Sequence, residues 1–195
     1  MEMRSTRAPA RKPCTPAARF SVRSMVYMAL CVALMAVCAW IAVPFTVPFT
    51  LQTVAVFLAS GLLGRRRGTL AVCVYLLLGA TGAPVFSGFR GGFGALLGVT
   101  GGYLVGFLPA AYFSGAIMER FGRRTLTAVA AMAGGLLLCY ALGTVWFVRV
   151  YMQTNGAIGF ISALSMCVFP YLIPDALKIL LSAWLVQRLY PRVHA

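Results

Sequence analysis

Residues 170–187, PYLIPDALKILLSAWLVQ, are apolar almost throughout, yet they hold Asp175 and Lys178. A spacing of three puts both on one face of a helix. A charge inside a membrane span costs at least ~2.5–3.5 kcal/mol on the insertion scale and is functional by default. An ionised carboxylate only accepts hydrogen bonds and an ammonium only donates them. The pair therefore has two uses. It can neutralise itself and pin its helix to the neighbours, or it can hold a neutral polar group that offers both donors and acceptors, such as a urea or amide. Pro170 and Pro174 lie upstream of the pair and predict an irregular start or a kink there. Irregular backbone at membrane depth is tolerated where it is buried or lines a cavity.

Other polar residues fall near the same end of the chain's apolar segments. The glycine-rich stretch SGFRGGFGALLGVTGGY, residues 87–103, has Arg90 as its one charge and closes on Tyr103. It matches neither phosphate-binding glycine motif. It reads either as a flexible connection leading into a helix packed through Gly102 and Gly106, a G-x-x-x-G pair, or as a lid whose Arg90 meets an anionic group at the rim. Gln52 and Thr53 open another apolar segment, as interhelical hydrogen-bonding groups or as lining of the same cavity. Ala29, Ala33 and Ala36 give one smooth helix face, for packing within a bundle or for docking another membrane subunit. Glu119, among Arg120, Arg123 and Arg124, reads as a solvated loop charge, and His194 takes no role.

These residues need elements to position them, and composition says which. The chain has 195 residues, of which 61% are hydrophobic and 10% charged, against about 45–50% and about 25% in soluble domains. Its solvent is a lipid bilayer. Six apolar segments are marked, at approximately 25–43, 48–64, 68–83, 99–118, 126–148 and 160–188. The second and third are short for straight spans, which implies tilt or partial embedding. Fourteen of the 17 Lys and Arg residues fall in the first 24 residues, the 64–68 and 119–125 connections and the C-terminus; Arg90 and Arg149 alone fall on the other side. Lys/Arg excess marks cytoplasmic segments. The expectation is an all-α integral membrane protein of six transmembrane helices with both termini cytoplasmic. Residues 1–24 form a basic, disordered tail, and 25–190 the membrane domain.

The net charge of +14 sits in clusters between apolar runs and forms no single stripe, so nucleic acid is not a partner. The six cysteines show no C-x-x-C spacing and read as small buried hydrophobes. Clustered carboxylates or histidines for acid–base or metal chemistry are lacking, as is an ATP-binding motif. No enzyme and no cofactor are expected.

The stretches T-L-Q-T at 50–53, L-L-G-A-x-G-x-P-V-F at 77–86, T-G-G-Y at 100–103 and D-x-x-K at 175–178 resemble the BioY family, the biotin-binding S components of energy-coupling-factor transporters. The resemblance covers roughly 25–190. It implies a six-helix bundle with an outward-facing biotin pocket, biotin being the transported substrate. It also implies a transmembrane coupling subunit and two ATPase subunits as partners. Asp175 and Lys178 would hold the urea-containing head, Arg90 and Tyr103 would add contacts, and the small face with Ala29 and Ala33 would dock the coupling subunit. Val99 stands where the family pattern has proline, and Ile173–Pro174 where it has Pro-Gly. Another small vitamin on the same fold, or a small intramembrane enzyme, are the competing readings.

Overall fold

A computed structural model describes residues 21–43, 48–156 and 159–194. The basic tail therefore lies outside the described residues up to position 20. The described chain is mostly helical. Helix α1 (Val22–Trp40) passes through the two-residue strand β1 (Ala42–Val43) and its antiparallel partner β2 (Phe49–Thr50) into α2 (Gln52–Ala80). A 3-10 turn over Ser87–Phe89 and the short α3 (Phe93–Leu97) precede α4 (Gly101–Phe121), α5 (Thr125–Asn155), α6 (Phe160–Cys167) and α7 (Phe169–His194). Four helical stretches, Val22–Trp40, Gly101–Phe121, Thr125–Gln153 and Ile161–Val193, are long and apolar enough to cross a membrane. They leave large side chains such as Leu30, Leu137, Ile161, Ile173 and Leu177 exposed. In a bilayer that apolar exterior meets lipid.

The expected segments 48–64 and 68–83 differ from what the chain does. Phe49 and Thr50 are strand, and no loop separates the two segments. Gly64 alone leaves helical geometry, at φ 79° and ψ −178°, a conformation open to glycine and strained for L side chains. The chain doubles back there. A Cβ on Gly68 would lie 2.7 Å from the Cα of Ser60, whereas eight residues of straight helix span about 12 Å. Residues 52–61 are buried on every side, as an all-round apolar helix must be. At about 18 Å, the limb 52–63 is shorter than the ~30 Å hydrocarbon core.

The elbow orphans the N–H of Arg65 and the C=O of Gly61, which a continuous helix would bond to each other. Both are recaptured by the end of α4 and the turn after it. Glu119 Oε1 accepts from the Arg65 N–H at 2.9 Å, and Arg123 Nε donates to the Gly61 carbonyl at 2.9 Å. Glu119 Oε2 also lies 3.3 Å from Arg65 Nε, and the Arg123 guanidinium stacks 4.0 Å over Tyr190. Glu119 is thus a clamp on the elbow and no mere solvated charge.

Helix α4 packs chiefly between α2 and α5. The G-x-x-x-G pair works as expected: Gly102 lies against Trp146, and a Cβ on Gly106 would stand 3.2 Å from the Cα of Cys139. The last apolar segment is broken at Val168 (φ −125°, ψ −54°) into α6 and α7, just ahead of the expected prolines. Pro170, the second residue of α7, stands in the first turn, where its missing N–H is tolerated, whereas Pro174 is accommodated inside α7. Ala36 is buried, but Ala29 and Ala33 face outward, so the small face is split.

Arg123→Met should lower unfolding stability by about 1–3 kcal/mol, the cost of a buried acceptor left unpaired. Thermal unfolding in detergent checks this, with the exposed Arg124→Met as control; equal behaviour of the two would remove Arg123 from the clamp.

Candidate functional site

The irregular start of α7 delivers Asp175 and Lys178 to the interior, where they are 5% and 6% exposed. Lys178 Nζ donates to Asp175 Oδ1 at 2.7 Å. The other carboxylate oxygen, Oδ2, accepts from the Tyr140 hydroxyl on α5. Lys178 Nζ also stands 3.7 Å from the centroid of the Phe49 ring, which stacks on Tyr171 at 6.3 Å. A buried ion pair survives desolvation only when its remaining capacity is also satisfied, and here a phenol and an aromatic face do part of that. Lone pairs of the carboxylate and at least one ammonium proton remain for a ligand, since a carboxylate offers about four acceptor positions and an ammonium three donors.

This cluster borders a small cavity of about 70 Å³, which adjoins a larger one of about 610 Å³. Pro48, Thr50, Tyr103 and Phe107 wall both. Thr53 joins Asp175, Lys178 and Tyr140 on the smaller, and Gln52 and Arg90 line the larger. Tyr103 thus links the two groups, with its hydroxyl 3.3 Å from Thr144 Oγ1. The structure brings all six expected polar residues to one compound cavity, but Arg90 is exposed at the rim, apart from the buried pair. Ala29, Ala33 and Ala36 line neither cavity.

The stretch 87–103 roofs the larger cavity and is fastened at both ends by tryptophans. Trp40 Nε1 donates to the Pro84 carbonyl at 2.8 Å and its ring stacks on Phe89 at 5.0 Å. Trp146 Nε1 donates to the Gly98 carbonyl at 3.0 Å. Tyr140, Phe49 and these two tryptophans are site residues that sequence reasoning did not single out. Tyr140 did carry a signal, because it lies in the middle of an apolar run and away from the interface where tyrosines of membrane helices collect. A buried tyrosine hydroxyl needs a partner.

A profile of the BioY family matches residues 10–195. The chain belongs to the BioY family. The biotin transporter BioY of Thermotoga maritima is 38% identical over 169 residues, covering 86% of this chain and 96% of that relative. A probable biotin transporter BioY of Pyrococcus horikoshii is 39% identical over 163 residues, 83% of this chain and 93% of that one. Among solved structures, the S-component for biotin from an ECF-type ABC transporter matches with a TM-score of 0.77 at 25% identity, over 86% of this chain and 90% of that one. The family's named relatives are transporters, and the likeness covers the elements that build the compound cavity.

Tyr140→Phe keeps the ring and removes only the hydroxyl. It should destabilise the ligand-free protein by about 1–3 kcal/mol through the carboxylate oxygen it leaves short of a donor. An unchanged thermal unfolding curve would mean that the phenol does not help to hold the pair.

Proposed function

We propose that this protein is the biotin-capturing S component of an energy-coupling-factor transporter. The observation that carries this reading is the buried Asp175–Lys178 pair at the wall of a cavity large enough for a small ligand, in a chain of the BioY family. Ligand pockets commonly measure ~300–1,000 Å³, apolar with a few placed polar groups. A bicyclic urea matches the pair: its N–H groups suit the carboxylate and its carbonyl suits the ammonium. Tyr103, Gln52 and Thr53 line the path between the pair and the larger space. Arg90, exposed at the rim, is suited to the carboxylate at the far end of the same ligand.

The topology follows from charge. Arg65, Arg66, Arg67, Arg120, Arg123 and Arg124 gather at one end of the bundle, and the cavity opens at the other. The two limbs of α2 together with α1, α4, α5 and α7 give six crossings, with both termini cytoplasmic by the positive-inside rule. The membrane is then the bacterial inner membrane, and the cavity faces outward. The exposed Ala29 and Ala33 of α1 allow close approach of another helix, in keeping with docking of a coupling subunit. Two ATPase subunits would supply the hydrolysis for which this chain has no motif.

The deciding experiment is direct biotin binding to the purified protein in detergent. Wild type should bind tightly, and Asp175→Asn should weaken binding by at least tenfold, since a hydrogen bond to a charged partner is worth about 1.5–3 kcal/mol. A folded, monodisperse wild type that ignores biotin would sink the assignment. For Arg90, replacement by Ala should lower the affinity for biotin and leave that for its neutral amide unchanged; parallel losses for both would move the carboxylate elsewhere.

A further inference from the structure

Gln52 is the first residue of α2, 2% exposed, and lines the larger cavity. Its amide nitrogen Nε2 is the one buried side-chain nitrogen or oxygen among the described residues without a hydrogen-bond partner. Leaving such a donor unpaired costs about 1–3 kcal/mol. Ser60 and Ser114 bond each other, and Asp175 is bonded twice. The helix that begins at Gln52 has no side-chain cap, so the positive end of its dipole lies beside this residue. A buried, unpartnered donor on a residue that lines a cavity is a group prepared for an acceptor oxygen.

We propose that Gln52 is a specificity-determining residue whose Nε2–H donates to the neutral ring carbonyl of the bound ligand. The inference rests on the biotin reading above and deepens it. The oxygen is the carbonyl, and the carboxylate is assigned elsewhere, for an electrostatic reason. A carboxylate brought to a buried position needs a counter-charge, and Gln52 is neutral. Arg90 carries that charge at the exposed rim, where the carboxylate keeps part of its hydration. Gln52 lines the larger cavity, and Thr53, the next residue of the chain, lines the adjoining smaller one together with Lys178. A carbonyl oxygen has two lone pairs, one for the ammonium and one for the amide. A site built to donate rejects an analogue that presents donors at that position.

The test compares wild type, Gln52→Met and Gln52→Glu as full chains in detergent. It measures affinity for biotin and for 2-iminobiotin, whose protonated C=NH₂ group offers only donors where biotin has the carbonyl. Wild type must first bind biotin; if it does not, the functional reading and this inference fall together. Given that binding, Gln52→Met should weaken biotin about tenfold and leave 2-iminobiotin unchanged. Gln52→Glu, which turns the donor into an acceptor, should reverse the preference between the two ligands. The ligand-free melting temperature of Gln52→Met should stay level or rise, because an unpaired buried donor has been removed. Unchanged biotin affinity, or equal losses for both ligands, overturns the assignment while leaving biotin capture intact. A marked fall in the ligand-free melting temperature overturns it too, since the amide would then have a partner in the protein.

Discussion

An aspartate and a lysine inside an apolar bundle have no water to turn to, and the cavity end of the molecule is arranged around that fact. The pair must face inward, so α7 begins with its irregular turn at Val168 and presents one face to the core. It must be satisfied, so α5 supplies the Tyr140 hydroxyl and the β1–β2 hairpin brings Phe49 over the ammonium. Each supporting group comes from a different element, and together they set where the walls of the cavity stand. Removing one charge of such a pair leaves the other buried and uncompensated, which is far worse than removing both. The pair therefore acts as a constraint on the fold, and in the function proposed above the same pair is the polar surface that meets the ligand.

The arginine-rich end solves the opposite problem. There the chain reverses at Gly64 without a loop, and that orphans backbone groups on both sides of the elbow. Glu119 takes the Arg65 N–H and Arg123 the Gly61 carbonyl. The cavity end differs in that its polar capacity is left incomplete: Gln52 has an unpaired donor, and Asp175 and Lys178 keep unused positions. Satisfied polar groups rigidify, and unsatisfied ones await a partner. The contrast between the ends follows from hydrogen-bond accounting alone.

Much of this was legible beforehand, for physical reasons. Apolar length traces the helices, because lipid permits few alternatives. The spacing of Asp175 and Lys178 put them together because i and i+3 share a face, and Gly102 with Gly106 announced the α4–α5 contact in the same way. What stayed hidden was non-local. Gly64 followed by three arginines reads as a loop, and only the distant Glu119 and Arg123 make it an elbow within one element. Tyr140 meets Asp175 across 35 positions of sequence, and no local pattern encodes that. Ala29, Ala33 and Ala36 share a helix face, yet which part of it turns inward depends on how α1 rolls against α2. Gln52 and Thr53, one residue apart, proved to serve adjoining cavities.

The limb 52–63 joins the two ends, with Gln52 and Thr53 at the cavity and Gly61 at the clamp. It is enclosed on all sides along 52–61, and Ser60 is cross-linked to Ser114 of α4 by a 3.0 Å hydroxyl pair. A close-packed interior of this kind does not deform continuously. Bending this limb to carry ligand from one end to the other would break packing along its whole length. The roof over 87–97 exposes Phe89, Phe93 and Leu97, and it is tied down by the tryptophan contacts and by the Gly92 N–H, which donates to the Gly79 carbonyl at 2.7 Å. The bundle also presents lipid with a largely apolar exterior along α1 and α7, with Leu30, Leu34, Ile173, Leu177 and Leu180 exposed. A rigid central limb therefore disfavours an internal channel along 52–61.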